Sequence, residues 1–346
     1  MNLPVLPQFS PLKIPALSSE ELVDGYGRRH NNLRISVTDR CNLRCIYCMD
    51  EEVTFLDRAE LLTFEEITRF VTISTSLGID KVRLTGGEPL MRQKLPDLVH
   101  LLKSIPDLKN IGLTTNGLLL AERAIDLYQA GLRTLNVSLD SLDPQRFRQL
   151  ARRDGLTKVL DGLHEAQKIG FERIKVNAVI IRGMNEQDVP LLAQKARAEG
   201  WEMRFIEYMP IGAETWERNK VVFAHEILDV LEKSVAPLVP AHDFDPKAPA
   251  MDFEYADTGA RVGIIASVSR PFCMNCNRLR LTCDGKLRNC LFALEETDVK
   301  DLLRRNSSSE EIAQAIRQNI RAKWEGHQIN TARFVKPLRT MHAIGG

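Results

Sequence analysis

The sequence predicts an α/β fold in which parallel strands form an open or partial barrel. Between residues 33 and 233, six short runs rich in β-branched residues alternate with amphipathic helical patterns. Strand–helix units in series form a parallel sheet with right-handed crossovers. Because six units fall short of the eight that close a complete barrel, we predict a barrel that stays open.

The predicted elements follow one another in a regular order. The strands are 33–37, 81–85, 111–115, 134–139, 173–181 and 203–209. The helices are 63–78, 95–105, 121–130, 157–169, 188–199 and 224–233. Thr63 and Glu66 match the two positions of a capping box at the start of the first helix. Glycines follow four of the helices at C-cap positions: Gly78, Gly131, Gly170 and Gly200.

Three regions are predicted along the chain. Residues 1–25 are Pro-rich without apolar periodicity, which is typical of a mobile N-terminal arm. Residues 26–235 form the barrel, and residues 236–346 form a C-terminal region in which the strand–helix rhythm breaks. The elements predicted in this last region are a β-like run at 260–269 and helices at 295–304 and 309–321.

The composition is that of an ordinary globular protein and disfavours two classes of function. The 346 residues include 47 Lys and Arg against 46 Asp and Glu, and this balance argues against a nucleic-acid binder. No run of about 18 uncharged apolar residues occurs, so we expect no membrane span. The N-terminus has no apolar signal-peptide region, and we expect a cytoplasmic location.

Three cysteines lie close together directly after the first predicted strand. Cys41, Cys45 and Cys48 have the spacing C-x3-C-x2-C, with no fourth cysteine near them. Three thiolates on one loop can hold three corners of a [4Fe–4S] cluster and leave one iron open to a small molecule. A zinc site completed by a distant histidine is disfavoured, because the seven histidines are scattered singly.

This loop resembles that of the radical S-adenosylmethionine (SAM) superfamily, in which an aromatic residue precedes the last cysteine, as Tyr47 does here. The resemblance implies a partial (β/α)6, TIM-like barrel and a SAM molecule chelated by the open iron. It also implies that an electron from the cluster cleaves SAM to a 5′-deoxyadenosyl radical. The segment TGGEPL at 85–90 matches the segment that binds the methionine amino group in this superfamily. Paired glycines let the backbone approach a ligand closely.

Four further cysteines lie in the C-terminal region, and two interpretations stay open for them. All four could form a structural zinc site, or three could hold a second [4Fe–4S] cluster with an open iron. The three would be Cys273, Cys276 and Cys290, with Cys283 as a bystander. Basic residues among them suit a polyanionic substrate, because Arg binds phosphate through two donors at once. These residues are Arg278, Arg280, Lys286 and Arg288.

Together with the double glycine at the end of the chain, these features resemble the GTP 3′,8-cyclase family of molybdenum cofactor biosynthesis. The resemblance covers about residues 25 to 346 and rests on both cysteine motifs and on RISVTDRCN, TGGEPLMR, LTTNG, NVSLD and RFIEYM. It implies two [4Fe–4S] clusters, the second of them on Cys273, Cys276 and Cys290. Cys283 stands where the family usually has a small residue.

The same resemblance implies roles for further residues. Contacts to SAM are implied for Tyr47, Gly87, Ser138 and Met209. Contacts to GTP are implied for Arg34, Lys81, Arg83, Thr114, Lys175, Arg204, Arg278 and Arg280. Strand alternation is consistent with Lys81 and Arg83 pointing to one face. The tail of the family enters the active site, which implies a catalytic role for Gly345 and Gly346.

The implied reaction is a radical cyclisation of GTP. The adenosyl radical removes the 3′ hydrogen of the ribose, and the ribose radical attacks C8 of guanine to give (8S)-3′,8-cyclo-7,8-dihydroguanosine 5′-triphosphate. The implied partners are a second copy of the chain in a homodimer and a cyclic pyranopterin monophosphate synthase that takes the product onward. Ordinary GTPase chemistry is disfavoured, because the sequence has no G-x4-G-K-[ST] loop.

Two alternatives stay open at this point. One is another radical SAM enzyme with an auxiliary cluster, which predicts no binding of GTP. The other is a zinc-bearing binding protein with a four-cysteine structural site, which predicts colourless protein after anaerobic purification.

Overall fold

A computed structural model of the chain describes residues 21–212, 215–243 and 245–345. Within these residues, twelve strands form one sheet. They are β1 (Asn32–Ser36), β2 (Lys81–Thr85), β3 (Asn110–Thr115), β4 (Thr134–Ser138), β5 (Arg173–Ile180), β6 (Glu202–Glu207), β7 (Leu238–Pro240), β8 (Met251–Tyr255), β9 (Arg261–Ile265), β10 (Arg278–Leu281), β11 (Lys286–Arg288) and β12 (Thr297–Asp298).

The same residues form ten α-helices. They are α1 (Phe64–Ser76), α2 (Leu95–Lys103), α3 (Leu120–Gln129), α4 (Pro144–Ala151), α5 (Leu156–Ile169), α6 (Val189–Glu199), α7 (Ala224–Ser234), α8 (Lys300–Arg304), α9 (Ser309–Arg321) and α10 (Met341–Ile344). No helix in the described ranges has both the length and the apolar character needed to cross a membrane.

The sheet is an open barrel, as the sequence predicts. Its strand order is β12-β11-β10-β1-β2-β3-β4-β5-β6-β9-β8-β7, and the eight strands from β10 to β9 are parallel to their neighbours. The outer strands β11, β12, β8 and β7 add antiparallel pairs. The two edge strands of the described sheet, β12 and β7, do not pair with each other, so the barrel does not close.

The C-terminal region supplies two of the eight parallel strands. β1 to β6 confirm the six predicted strands, whereas β9 and β10 extend the sheet on either side of them. β10 pairs with β1 and sets Arg280 opposite Arg34, and β9 pairs with β6. The sequence does not predict β10, because its four residues lie in a segment crowded with cysteines and charges. The second cysteine group is therefore attached to the barrel wall.

Three helices differ from the prediction, one of them α10, which is not predicted. α4 is not predicted, although Asp143 caps it by accepting a hydrogen bond from the Arg146 amide and Pro144 occupies its first position. α8 begins at Lys300 rather than at 295, because Thr297 and Asp298 pair with β11 as β12. The other predicted helices are found within a few residues of their expected ends.

The parallel strands alternate between an apolar outer face and a polar inner face. On β1, for example, Leu33 and Ile35 are fully buried under the helices, while Arg34 lines the interior. Parallel strands covered on both faces usually read as continuous apolar runs. Here one face is polar, because it surrounds a cavity instead of a packed core.

The predicted N-terminal arm lies mostly outside the described residues. Of its last residues, Leu22 is buried, and Val23 forms a bridge with Arg29. The described chain is therefore packed against the domain from Leu22 onward.

Candidate active site

The polar faces of the eight parallel strands enclose a cavity of about 260 Å³. Every one of these strands contributes to its wall. One lining residue from each, in chain order, is Arg34, Thr85, Thr114, Asn136, Asn177, Arg204, Ile265 and Arg280. Loops at the carboxyl ends of β1, β2, β3 and β4 also line the cavity, which is where barrel enzymes carry their sites.

The first cysteine group lies in the wall of this cavity. Cys41, Cys45 and Cys48 all line it, and the described chain contributes no other cysteine there. The Asn116 side-chain amide donates a hydrogen bond to Cys41 Sγ at 3.7 Å. Burial raises the pKa of Cys41 to about 11 and that of Cys48 to about 12. Such thiols become thiolates when a metal ion offsets the charge, so this set fits an iron–sulfur cluster with one open iron.

The glycine pair of the TGGEPL segment sets the position of the cysteine loop. A Cβ on Gly86 would lie 2.6 Å from the carbonyl oxygen of Thr38, and one on Gly87 would lie 2.4 Å from that of Asp39. The Gly87 amide also donates to the Thr38 carbonyl at 2.7 Å. Both glycines line the cavity. The close approach expected from the sequence is thus made to the backbone that leads into Cys41.

Glu88 joins the ends of two strands beneath the site. Its fully buried carboxylate accepts hydrogen bonds from Thr115 Oγ1 at 2.7 Å, from the Asn116 amide at 2.7 Å and from the Leu90 amide at 2.9 Å. Burial raises the pKa of Glu88 to about 7, although these hydrogen bonds act to lower it. With three donors aimed at its two oxygens, Glu88 fixes the loop after β3 against the loop after β2.

The four residues predicted to contact SAM all line the cavity: Tyr47, Gly87, Ser138 and Met209. The Tyr47 hydroxyl donates to Asp140 Oδ2 at 2.6 Å, and Asp140 Oδ1 accepts from the Val179 amide at 2.8 Å. Burial raises the pKa of Asp140 to about 6. Asp140 therefore holds the Tyr47 ring in one place beside the first cysteine group.

The second cysteine group flanks the hairpin of β10 and β11. Cys273 and Cys276 precede β10, and Cys290 follows β11. Burial raises the pKa of Cys273, and the charges of Cys290 and Cys276 act in the same direction. Cys283 lies elsewhere: it is 2% exposed, and its neighbours are Asp39, Asp284 and Ser36.

In this structure the sulfurs of the four C-terminal cysteines are not close enough together to surround one zinc ion. Tetrahedral zinc with Zn–S bonds of about 2.3 Å brings its sulfurs to about 3.8 Å from one another. In the described ranges, one group of three His, Cys, Asp or Glu residues has its possible metal-ligand atoms within 4.8 Å of one another. It consists of His242, Asp243 and Glu254 and contains no cysteine. Cys283 lies apart from Cys273, Cys276 and Cys290, and a second cluster on these three stays a prediction.

Five of the eight residues predicted to contact GTP line the cavity: Arg34, Thr114, Arg204, Arg278 and Arg280. The other three stand outside the lining. Arg83 donates to the lining residue Asn136 at 3.2 Å, and Lys175 forms an ion pair with Glu202 at 3.3 Å. Lys81 begins β2, on the same half-buried face as Arg83.

The positive charge of the cavity wall is only partly balanced. Glu202 pairs with Arg204 at 2.6 Å, and the charges of Arg204, Lys175 and Arg173 outweigh its burial and lower its pKa to about 2. In contrast, four arginines form no ion pair with any carboxylate of the described chain: Arg34, Arg83, Arg278 and Arg280.

The burial of these arginine charges and the repulsion between them suit the binding of an anion. Burial and then the charge of Arg204 lower the pKa of Arg83 to about 10, and burial and then Arg278 do the same to Arg280. Three buried polar atoms of the wall also lack a hydrogen-bond partner within the described residues: Thr114 Oγ1, Asn177 Oδ1 and Arg278 Nη2. Since buried polar groups are normally hydrogen-bonded, Thr114 Oγ1 and Arg278 Nη2 can donate to an anionic ligand, and Asn177 Oδ1 can accept a hydrogen bond from a polar group of that ligand.

The C-terminal tail enters the same region. Met341 and His342 line the cavity, and the Arg280 guanidinium donates to the Gly345 carbonyl at 2.6 Å. Arg339 fixes the base of the tail through a bidentate ion pair with Asp284, at 3.1 and 2.8 Å. Gly346, the second glycine predicted to act in catalysis, lies outside the described residues.

The sequence does not single out several residues that shape the site. Asp140 and Asn116 lie inside the NVSLD and LTTNG motifs, and their position at strand ends could have drawn attention to them. Arg28 and Lys323 contact the second cysteine group from 245 and 47 residues away along the chain. No local pattern in the sequence indicates such distant contacts.

Two family models match successive parts of the chain. The Radical SAM superfamily matches residues 35–196, and the family described as Molybdenum Cofactor Synthesis C matches residues 201–329.

Curated relatives match almost the full length. A GTP 3′,8-cyclase of Rhodopirellula baltica is 44% identical over 94% of this chain and 92% of its own length. Another, of Thermodesulfovibrio yellowstonii, is 42% identical over 93% of this chain and 99% of its own. A third, of Acidothermus cellulolyticus, is 46% identical over 88% of this chain and 86% of its own.

Solved structures with the same fold are more distant in sequence. Streptococcus suis SuiB bound to S-adenosylmethionine has a TM-score of 0.56 and 15% identity, and the match covers 83% of this chain and 68% of that one. Native anSMEcpe with bound AdoMet has a TM-score of 0.54 and 18% identity, with 81% of each chain covered. At these identities the likeness supports the barrel fold alone.

Proposed function

The chain belongs to the GTP 3′,8-cyclase family of radical SAM enzymes, and we propose that its polar cavity holds SAM and GTP together. The enzyme converts GTP to (8S)-3′,8-cyclo-7,8-dihydroguanosine 5′-triphosphate in the first step of molybdenum cofactor biosynthesis. The observation that carries the proposal for the site is the group of four arginines, Arg280 buried and the other three half-buried, that have no carboxylate partner among the described residues.

Cys41, Cys45 and Cys48 would hold the first [4Fe–4S] cluster, which supplies the electron that cleaves SAM when it is bound. Tyr47, held by Asp140, gives SAM a rigid aromatic contact beside this loop. Ser138 and Met209 line the same cavity, and the Gly87 backbone borders it. These residues position SAM, so that a radical derived from it meets one hydrogen atom of the substrate at near contact.

The triphosphate of GTP carries a charge of about −4 and suits the unbalanced arginines. Arg34, Arg278 and Arg280 line the cavity directly and can donate paired hydrogen bonds to phosphate oxygens. Lys81, Arg83 and Lys175 lie behind them and add positive potential. Thr114, with its unpartnered hydroxyl, and Arg204 complete the proposed GTP contacts.

We propose the second [4Fe–4S] cluster on Cys273, Cys276 and Cys290. The separation of Cys283 from these three leaves no fourth thiol for the set, so one iron would stay open. Arg278 and Arg280 of β10 follow Cys276 closely, and the family resemblance implies that the guanine base of GTP would bind the open iron of a cluster held there. Gly345 and Gly346 are proposed to close the pocket, the first through its contact with Arg280.

The proposal extends to location and partners. Seven free thiols suit a reducing compartment such as the cytoplasm. We propose a homodimer and a cyclic pyranopterin monophosphate synthase as the acceptor of the product. Light scattering of the purified protein would test the homodimer. A coupled assay would test whether the synthase converts the product.

The test of the function is a reconstitution. Anaerobic protein loaded with iron and sulfide is incubated with dithionite, SAM and GTP, and mass spectrometry follows 5′-deoxyadenosine and any isomer of GTP. We expect both products to rise together, and omission of GTP to remove the isomer. Deoxyadenosine without a GTP isomer would keep the radical enzyme and discard GTP as its substrate. If protein with a full cluster content formed neither 5′-deoxyadenosine nor a GTP isomer, that result would contradict the function.

A further inference from the structure

A lysine from the C-terminal region is buried against the second cysteine group. Lys323 lies two residues after the end of α9 and is only 5% exposed. Its ammonium nitrogen is 3.4 Å from Cys276 Sγ, 3.4 Å from the Cys276 carbonyl oxygen and 3.0 Å from the Arg278 carbonyl oxygen. All three donor directions of the ammonium group therefore point at the chain that carries Cys276.

The charge of Lys323 has no carboxylate partner. Within the part of the chain that the structure describes, no Asp or Glu lies in ion-pair distance of its ammonium group, whereas the sulfur of Cys276 is 3.4 Å from it. A buried ammonium is costly unless an opposite charge lies close by. The thiolates of a bound cluster would supply that charge. Arg278, whose charge also acts on Cys276, is likewise without a carboxylate partner among the described residues.

The segment that carries Lys323 is locked to the second cysteine loop. Arg28 donates to the carbonyl oxygens of Trp324 at 2.6 Å and Glu325 at 2.5 Å, and also to that of Cys273 at 2.8 Å. Asp24, itself fully buried, holds the Arg28 guanidinium at 2.5 Å. Lys323 thus has little freedom to move away from Cys276.

We propose that Lys323 is a positioning residue of the second cysteine set, which holds Cys276 in place and raises the reduction potential of the cluster bound there. A positive charge beside a cluster stabilises its reduced form, which carries one more negative charge. This inference rests on the proposed second cluster. It assigns no step of the reaction to Lys323, which contacts a ligand residue and not the substrate.

The test uses full-length protein in which Cys41, Cys45 and Cys48 are replaced by Ser, so that any cluster signal comes from the second set. Into this parent protein we introduce Lys323→Met, which keeps a side chain of similar length and removes the charge. A second variant, Lys323→Arg, keeps the charge. Lys168→Met is the matched control, because that side chain is 80% exposed and forms its ion pair with Glu165, away from any cysteine. Iron and sulfide content and a redox titration followed by electron paramagnetic resonance are measured for each.

We expect Lys323→Met to lower the ratio of reduced to oxidised cluster at a given potential about tenfold, which corresponds to about 59 mV for one electron. Lys323→Arg and Lys168→Met should stay near the parent. An unchanged potential in fully loaded Lys323→Met protein would overturn the proposal, and so would equal loss of iron in the Met and Arg variants. If the protein without Cys41, Cys45 and Cys48 bound no iron, the second cluster itself would be refuted. That outcome is distinct from a cluster whose potential does not depend on Lys323, so the two failures can be told apart.

Discussion

The Arg280 guanidinium donates a hydrogen bond of 2.6 Å to the carbonyl oxygen of Gly345. Arg280 belongs to β10, inside the barrel, and Gly345 stands at the end of the tail. This contact ties the C-terminus to an arginine that has no carboxylate partner in the described chain. The tail is therefore part of the cavity wall and not a loose end.

Gly345→Ala should impair cyclisation about tenfold or more. Gly345 has a φ of +77°, and an added Cβ would lie 2.5 Å from Thr85 Oγ1 and 3.1 Å from Ser36 Cβ. A side chain would thus be strained by the backbone and would also push the tail out of its place. The measurement is the rate of GTP isomer formation. Gly183→Ala is the control, because its φ is +78° with no atom within 4 Å of the added Cβ, so activity should stay near wild type. Equal activity of both variants would contradict a fitted tail.

Arg278→Ala and Arg280→Ala should each weaken GTP binding about 10- to 100-fold, because each removes a charge-assisted contact worth about 1.5–3 kcal/mol. Cleavage of SAM should remain possible in both, since neither residue contacts the first cysteine group. Anaerobic calorimetry gives the affinity, and the yield of 5′-deoxyadenosine reports cleavage. Arg148→Ala, at a side chain that is 70% exposed, should leave both unchanged. Undiminished cyclisation in both cavity variants would refute their role.

The barrel can be predicted from the sequence because the patterns that indicate its strands and helices lie in neighbouring residues. β2 occupies the predicted range of 81–85, and α9 the predicted 309–321, since alternation and capping are written in neighbouring residues. The three cysteines at 41–48 line one cavity for the same reason: the spacing within one loop fixes their proximity. The predicted SAM contacts also meet in one cavity, since they follow strand ends that a parallel sheet brings to one edge.

Other parts of the site depend on contacts between distant segments. The pairing of β10 with β1 sets Arg280 beside Arg34, and no periodicity near either residue indicates it. The separation of Cys283 from the other three cysteines follows from its place in the turn between β10 and β11, where it lies beside Ser36. The burial of Lys323 against Cys276 likewise follows only when α9 is docked.

GTP affinity should depend on pH through Lys175. Burial, followed by the charge of Arg204, lowers the pKa of Lys175 to about 7. The ammonium is charged below that pH and neutral above it, so its attraction for phosphate is lost as the pH rises from 6 to 8. The last phosphate proton, with a pKa of about 6, acts in the opposite direction. Lys175→Arg stays charged and serves as the reference.

The ratio of the wild-type Kd to the Lys175→Arg Kd should therefore rise by up to about tenfold between pH 6 and 8. Fluorescence or calorimetric titration with GTP at each pH gives both constants. A flat ratio would mean that the Lys175 ammonium does not contribute to binding.

Glu88→Gln should lower the free energy of unfolding by about 1–3 kcal/mol. The carboxylate accepts the Asn116 amide on one oxygen and Thr115 and Leu90 on the other. Gln replaces one of these acceptors with an NH₂ group, so a buried donor loses its partner. Anaerobic urea denaturation of the cluster-free protein measures the change. Glu295→Gln, at an exposed carboxylate outside the helices, should be neutral. A neutral Glu88→Gln would show that the carboxylate is not needed to hold the two loops.

One cavity is proposed to bring a SAM-derived radical to the 3′ position of GTP. The most direct measurement uses GTP deuterated at C3′, with reconstituted protein, SAM and dithionite, and analyses the 5′-deoxyadenosine by mass spectrometry. We expect one deuterium atom in the deoxyadenosine, together with an isomer of GTP that has lost it. Deoxyadenosine without deuterium, formed alongside unchanged GTP, would contradict the claim.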